Sequence, residues 1–259
     1  MKYYVVDAFA QNVFEGNPAG VCILGDWLPD ETMQNIATEN NLSETAFAVK
    51  EGEHYRLKWF TPAAEIELCG HATLATAFVL AQFYEPHAEQ FTFHTLSGQL
   101  TVLKKGILYE MDFPSLPPEP FPLTPDMIEA LGVTPVETYL SRDLMFVLES
   151  EEQVQQLKPD FSKLIHLPDG LGVQVTAKGT TFDFVSRSFF PKLNVNEDPV
   201  CGSAHCNFIP YWADRLGKYN LVARQLSKRG GTLYCLLEGD RVKISGTAVL
   251  YAEAELRIN

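Results

Sequence analysis

The chain has few cysteines, no long apolar run and no excess of basic charge, and each shortage excludes a class of protein. The cysteines are five in number, scattered at Cys22, Cys69, Cys201, Cys206 and Cys235. An odd, dispersed set is no disulfide framework, so a reducing cytoplasm is expected. No stretch reaches the roughly 18 apolar residues of a membrane helix; the best window, Ala72 to Ala81, is broken by Thr73 and Thr76. The opening MKYYVVDAFAQN meets Asp7 too early to hold a signal-peptide core. Lys plus Arg is 20 against 33 for Asp plus Glu, a net charge of −13. Neither a nucleic-acid backbone nor an anionic membrane finds a partner in that field, whereas a local pocket for a small anion stays open. Walker A, GxGxxG, HExxH and GxSxG patterns are all missing. The six histidines lie far apart, and Cys201, His205 and Cys206 offer at most three zinc ligands without a second knuckle. No metal and no cofactor are expected.

What is there is a chain of 259 residues with hydrophobic residues at 46%, enough for one large core or two small ones. The prolines at 114, 117, 118, 120, 122 and 125 remove backbone donors and fix φ, so this stretch is neither helix nor central strand. It reads as a linker over residues 114–125 between a first lobe, 1–113, and a second, 126–259. In the first, strands near 2–9 and 20–24 precede a helix that Asp30 is placed to cap, and 43–50 and 55–60 alternate apolar and polar like half-buried strands. A helix from Gly70 to Phe83 follows, apolar nearly all round and therefore expected inside a core. In the second, Thr124-Pro125 is an Ncap–N1 pair, and another apolar helix is expected from Ser203 to Arg215.

The approaches to these two apolar helices match. Glu65-Ile66-Glu67-Leu68-Cys69-Gly70-His71-Ala72 and Glu197-Asp198-Pro199-Val200-Cys201-Gly202-Ser203-Ala204 share Glu, Cys, Gly and Ala in place. The separation is about half the chain, which suggests a duplicated lobe and not a solenoid. A glycine at a helix start lets backbone approach a ligand, and the first N–H groups of the helix have no internal partners. Two such starts facing each other would hold carboxylates in a cleft between the lobes. The alternative is that each glycine only relieves crowding.

Three further features bear on chemistry. Glu44 shares one strand face with Leu42 and Ala46; a carboxylate among apolar groups is costly unless paired or protonated, and suits acid/base work. An exposed strand face is the plain alternative. His71, one residue past Gly70, is placed to donate to an anion or shuttle a proton. Cys69 and Cys201, at equivalent places, either deprotonate and reprotonate the two faces of one carbon or are inert buried thiols.

Five blocks carry a resemblance. Asp7-Ala8-Phe9, Gly16-Asn17-Pro18-Ala19-Gly20, Asn41-Leu42-Ser43-Glu44-Thr45, Cys69-Gly70-His71-Ala72-Thr73 and Glu197 through His205 resemble, in order and across the whole chain, the signature blocks of the PhzF-like, phenazine biosynthesis-like isomerases. The resemblance implies an α+β, diaminopimelate epimerase-like fold of two pseudo-symmetric lobes, each a curved sheet around a central helix. It implies cofactor-free isomerisation by proton transfer, as on trans-2,3-dihydro-3-hydroxyanthranilate, and a homodimer. It further implies Glu44 as the catalytic carboxylate, with His71, Asp198 and Ser203 in support. Asn17, Gly70, Ala72, Thr73, Gly202 and Ala204 become substrate-binding positions. One departure stands out: Cys201 replaces a threonine common in the family, so both thiol positions of the related epimerases are filled. The leading expectation is an isomerase acting on a small carboxylate-bearing metabolite. A two-thiol amino-acid racemase and a metabolite-binding protein without turnover are the alternatives.

Overall fold

The computed structural model describes residues 1–258. The chain forms two compact units, one of Met1–Asp112 with the segment from Ser245 onward, the other of Phe113–Ile244.

In the first unit Lys2–Ala8 pairs antiparallel with both Asn17–Leu24 and Ala248–Glu255. Asn17–Leu24 runs parallel to Glu44–Glu51, which pairs antiparallel with His54–Phe60. His54–Phe60 then runs parallel to Gln90–Thr95, and that strand pairs antiparallel with Gly98–Lys105. The helix Gly70–Val79 touches strands at both ends of this order, from Lys2–Ala8 to Gly98–Lys105, so the sheet curls around it. Its side chains from His71 to Ala77, and Val79, are buried, as an all-round apolar helix requires. It continues through a single π turn, Leu80–Tyr84, where a plain α-helix to Phe83 is expected from the sequence.

The second unit repeats the pairing. Glu137–Leu140 is antiparallel to Leu144–Val147, which is parallel to Val173–Lys178. Val173–Lys178 is antiparallel to Phe184–Phe190, which is parallel to Asn220–Gln225, and Asn220–Gln225 is antiparallel to Gly231–Glu238. Antiparallel, parallel, antiparallel, parallel, antiparallel is the order in both units, with the apolar helix entering before the second parallel partner each time. This is the duplication that the matching helix approaches suggest. The second helix, His205–Leu216, buries residues 205–209 and 211–213. Its Trp212 indole N–H donates to Thr176 Oγ1 at 2.9 Å.

Several local expectations change. The last strand does not belong to the second unit, as the 126–259 boundary has it; its partner is Lys2–Ala8. The 114–125 stretch is no free linker either. Glu119–Pro120 pairs with Tyr139 and Leu140, an edge position where proline's missing N–H costs nothing. Pro29 precedes the first helix without a side-chain cap, and Asp30 is its first residue, with Lys58 Nζ at 2.7 Å from its carboxylate. Glu44–Glu51 does not alternate: residues 45–49 are all buried. Phe47 and Val49 pack with Met33 and Ile36 on one face, and the opposite face lies against the Gly70 helix, so both sides are covered.

Candidate active site

Glu44 reaches its place through a short chain of local causes. The first helix ends at Asn41 in a left-handed conformation, φ 49°, which Asn tolerates better than most residues. Three residues later the strand begins with Glu44 opposite Ala19. On the same face as Glu44 stand Ala46 and Ala48, small enough for the alanine-rich helix to lie close. That helix begins at Gly70, so His71 is in its first turn.

Glu44 Oε2 and His71 Nε2 are 3.0 Å apart, with side chains 16% and 8% exposed. On the other edge of the ring, Nδ1 lies 3.5 Å from Cys69 Sγ. Burial opposes the His71 cation, but Cys69 and Glu44 outweigh it and hold the imidazole well above its ordinary pKa. Among the described residues Glu44, Cys69 and His71 are the one group of three metal-type ligands, within 4.8 Å of one another. They do not converge on a point. Cys69 and Glu44 address opposite nitrogens of one ring, whose lone pairs diverge, so the imidazole stands between them and does not join both on one ion.

At the same helix start Thr73 gives both its N–H and its hydroxyl to Cys69 O, at 3.2 and 2.5 Å. Its donors are therefore committed inside the protein. The N–H groups of Gly70, His71 and Ala72 have no backbone acceptor among the described residues, as the first turn of a helix leaves them. Ala72 is fully buried, and so is Asn17, at the start of its strand.

The second unit builds a different constellation on the equivalent turn. Gly202, Ser203 and Ala204 form a turn ahead of the helix, which starts at His205 and not at Ser203. Gln225, fully buried, accepts the Cys201 N–H at 2.9 Å and donates to Asp198 O at 2.6 Å. Asp198 Oδ1 accepts the Val200 N–H at 3.1 Å. Ser203 Oγ accepts from Arg142 Nη2 at 3.1 Å and lies 3.4 Å from Cys201 Sγ. His205 Nδ1 faces Cys201 O at 2.8 Å, and burial lowers its pKa to about 4, so it is a neutral core histidine. Gly202 does not relieve crowding: an added Cβ would meet nothing within 4 Å, and its φ is not left-handed.

The thiols are poor acid/base groups. Burial pushes Cys69 up to about 11, with Glu44 adding to the rise and His71 opposing it. Burial, with Asp198 adding to it, likewise pushes Cys201 upward. The sequence reading missed Arg142 and Gln225. Arg142-Asp143 looks like a solvated pair in a loop, and Gln225 like any polar strand end; only the fold brings them to the 198–203 turn.

Comparison with known proteins agrees with this architecture. The family model described as phenazine biosynthesis-like protein matches residues 6–254. An uncharacterized isomerase of Pseudomonas aeruginosa is 51% identical, covering 100% of this chain and 99% of that protein. The crystal structure of a phenazine biosynthesis PhzF family protein from Enterococcus faecalis is 57% identical, with a TM-score of 0.98 over 99% of each chain. A probable proline racemase from Agrobacterium radiobacter, 11% identical, shares the fold at a TM-score of 0.66 over 100% of this chain and 93% of that one. The chain therefore belongs to the phenazine biosynthesis-like family and is an isomerase with the fold of the epimerases and racemases.

Proposed function

We propose that the enzyme moves a proton on a small carboxylate-bearing metabolite, without a cofactor, with Glu44 as the general acid/base. The observation that carries this reading is the 3.0 Å approach of Glu44 Oε2 to His71 Nε2 in a largely buried setting. His71, its pKa held well above the ordinary value, places a positive charge beside the Glu44 carboxylate that takes the proton from carbon. Once Glu44 carries that proton, the positive imidazolium balances the charge that develops on the substrate. Glu44 then returns the proton to a second carbon. Asp198 and Ser203 have an orienting role in this reading. Metabolite and homodimer belong to it as well, and sedimentation of the purified protein checks the second.

The two-thiol racemase reading finds less support, because burial disfavours the thiolate at Cys69 and Cys201. Deuterium wash-in separates the readings. Trans-2,3-dihydro-3-hydroxyanthranilate and a panel of amino and hydroxy acids are incubated with enzyme in deuterated buffer and followed by NMR. Incorporation by wild type and its loss in Glu44→Gln is the expected result. Loss in Cys69→Ala with retention in Glu44→Gln would overturn the assignment.

A further inference from the structure

Arg142 makes a set of contacts that leaves two of the five N–H groups of its guanidinium unused. Nε and Nη2 both donate to Asp143 Oδ2, at 3.1 and 2.6 Å. The second proton of Nη2 goes to Ser203 Oγ at 3.1 Å. No acceptor meets Nη1 among the described residues, although its two N–H groups lie in the same plane.

The guanidinium is held for that purpose by a group with no other freedom. The Asp143 side chain is 0% exposed, whereas that of Arg142 is 44% exposed. Asp143 also accepts the Gly172 N–H at 2.9 Å and the Gln174 amide at 3.2 Å. A carboxylate fixed by four donors fixes the fork that leans on it. Ser203 Oγ accepts from Arg142 and shares a second hydrogen bond with Cys201 Sγ at 3.4 Å, so its hydroxyl is fixed from two sides.

The surroundings supply a place for an acceptor. Gly202 is buried, yet protein leaves the space where its Cβ would stand unfilled, so the turn borders a recess. The N–H groups of Gly202 and Ser203 have no backbone acceptor among the described residues. The position has a counterpart in the duplicated fold. Arg142 stands two residues before Leu144, the first partner of Val173; Asn17 stands two residues before Ala19, the partner of Glu44. Asn17 is itself a fully buried polar side chain at that matching place.

We infer that Arg142, buttressed by Asp143 and joined to Ser203, is the guanidinium of an oxyanion site of the second unit that takes a carboxylate against the open face of Gly202. As the anchor of the substrate's carboxylate it rests on the function proposed above; as an anion site it stands without it.

The test reads binding and needs no turnover. The full-length protein, labelled with 15N, is titrated with sodium acetate in place of sodium chloride at constant ionic strength. The Arg142 Nε–H and the Gly202 and Ser203 amides should shift saturably. Arg142→Gln should weaken acetate binding about tenfold or more, the loss of charge-assisted hydrogen bonds, and Arg142→Lys should fall between, keeping charge without the fork. Gly202→Ala is the variant safe to fold, since no neighbour crowds it; its melting temperature should stay that of wild type while acetate binding weakens. Absence of saturable shifts at these three groups overturns the inference, as does wild-type acetate binding in either Arg142→Gln or Gly202→Ala. A protein that binds acetate here but exchanges no substrate proton keeps this site and loses the acid/base role of Glu44.

Discussion

His71 stands between Glu44 and Cys69, its Nε2 3.0 Å from the carboxylate and its Nδ1 3.5 Å from the sulfur. One ring thus joins a carboxylate to a thiol that burial keeps protonated near neutral pH. The pairing makes the protonation of His71 measurable from two sides.

The two buried histidines should shape stability against pH in opposite directions. His71 has its folded pKa raised well above 6.5. Its contribution is complete below the unfolded value near 6.5 and is lost as pH rises through the folded one. His205 has its pKa lowered from 6.5 to about 4, so stability falls as pH drops from 6.5 towards 4, by about 3 kcal/mol over that window. Thermal melts should therefore peak near neutrality. Glu44→Gln should flatten the alkaline limb and His205→Gln the acidic one; an alkaline limb unchanged in Glu44→Gln would show that the carboxylate does not hold the proton on His71.

All five thiols are free and buried. The native enzyme at pH 7.5 should therefore react with Ellman's reagent only over hours, and release five equivalents at once when denatured. Cys69→Ala should keep turnover within about tenfold of wild type, a barrier change near 1.4 kcal/mol. A fast equivalent in the native state, assigned by peptide mapping to Cys69 or Cys201, would mark a reactive thiolate and favour the racemase chemistry.

Gln225, itself fully buried, holds the 198–201 turn by two hydrogen bonds, to Cys201 N–H and Asp198 O. Gln225→Ala leaves both partners unsatisfied, at a cost of about 2–4 kcal/mol. For a chain of this size the melting temperature should fall roughly 5–15 °C. Gln225→Glu, which sets a buried carboxylate oxygen against Asp198 O in place of the donor, should lose at least as much at neutral pH. Calorimetry of the two variants measures this, and a wild-type melting temperature in either would mean that Gln225 does not hold the turn.

What the sequence made legible was whatever is written locally. The apolar helices at Gly70 and near Ser203 announce themselves by composition, and Glu44 and His71 sit in short blocks whose residues suffice to suggest a role. Asp143 defeats that kind of reading, because its value lies in full burial and in partners up to 31 residues away. The Arg142–Ser203 contact spans 61 residues, and no periodicity reports it. The 43–50 segment failed as a half-exposed strand for a related reason: alternation records one covered face, and here helices cover both. The π turn at Leu80–Tyr84 has no sequence signal in a run of ordinary helix formers.

The first unit is interrupted in sequence, and its edge is closed by the last strand: Met1 N donates to Leu256 O at 2.9 Å, a contact 255 residues long. On the ribosome, the contiguous second unit has all of its strands before the first has its Ala248–Glu255 partner. Synthesis therefore favours an order in which the downstream unit is finished while the upstream one waits with the Lys2–Ala8 edge unpaired. A nascent chain arrested before residue 248 carries that open strand edge, the feature that invites aggregation, and removal of Ala248–Glu255 damages the unit that holds Lys2–Ala8.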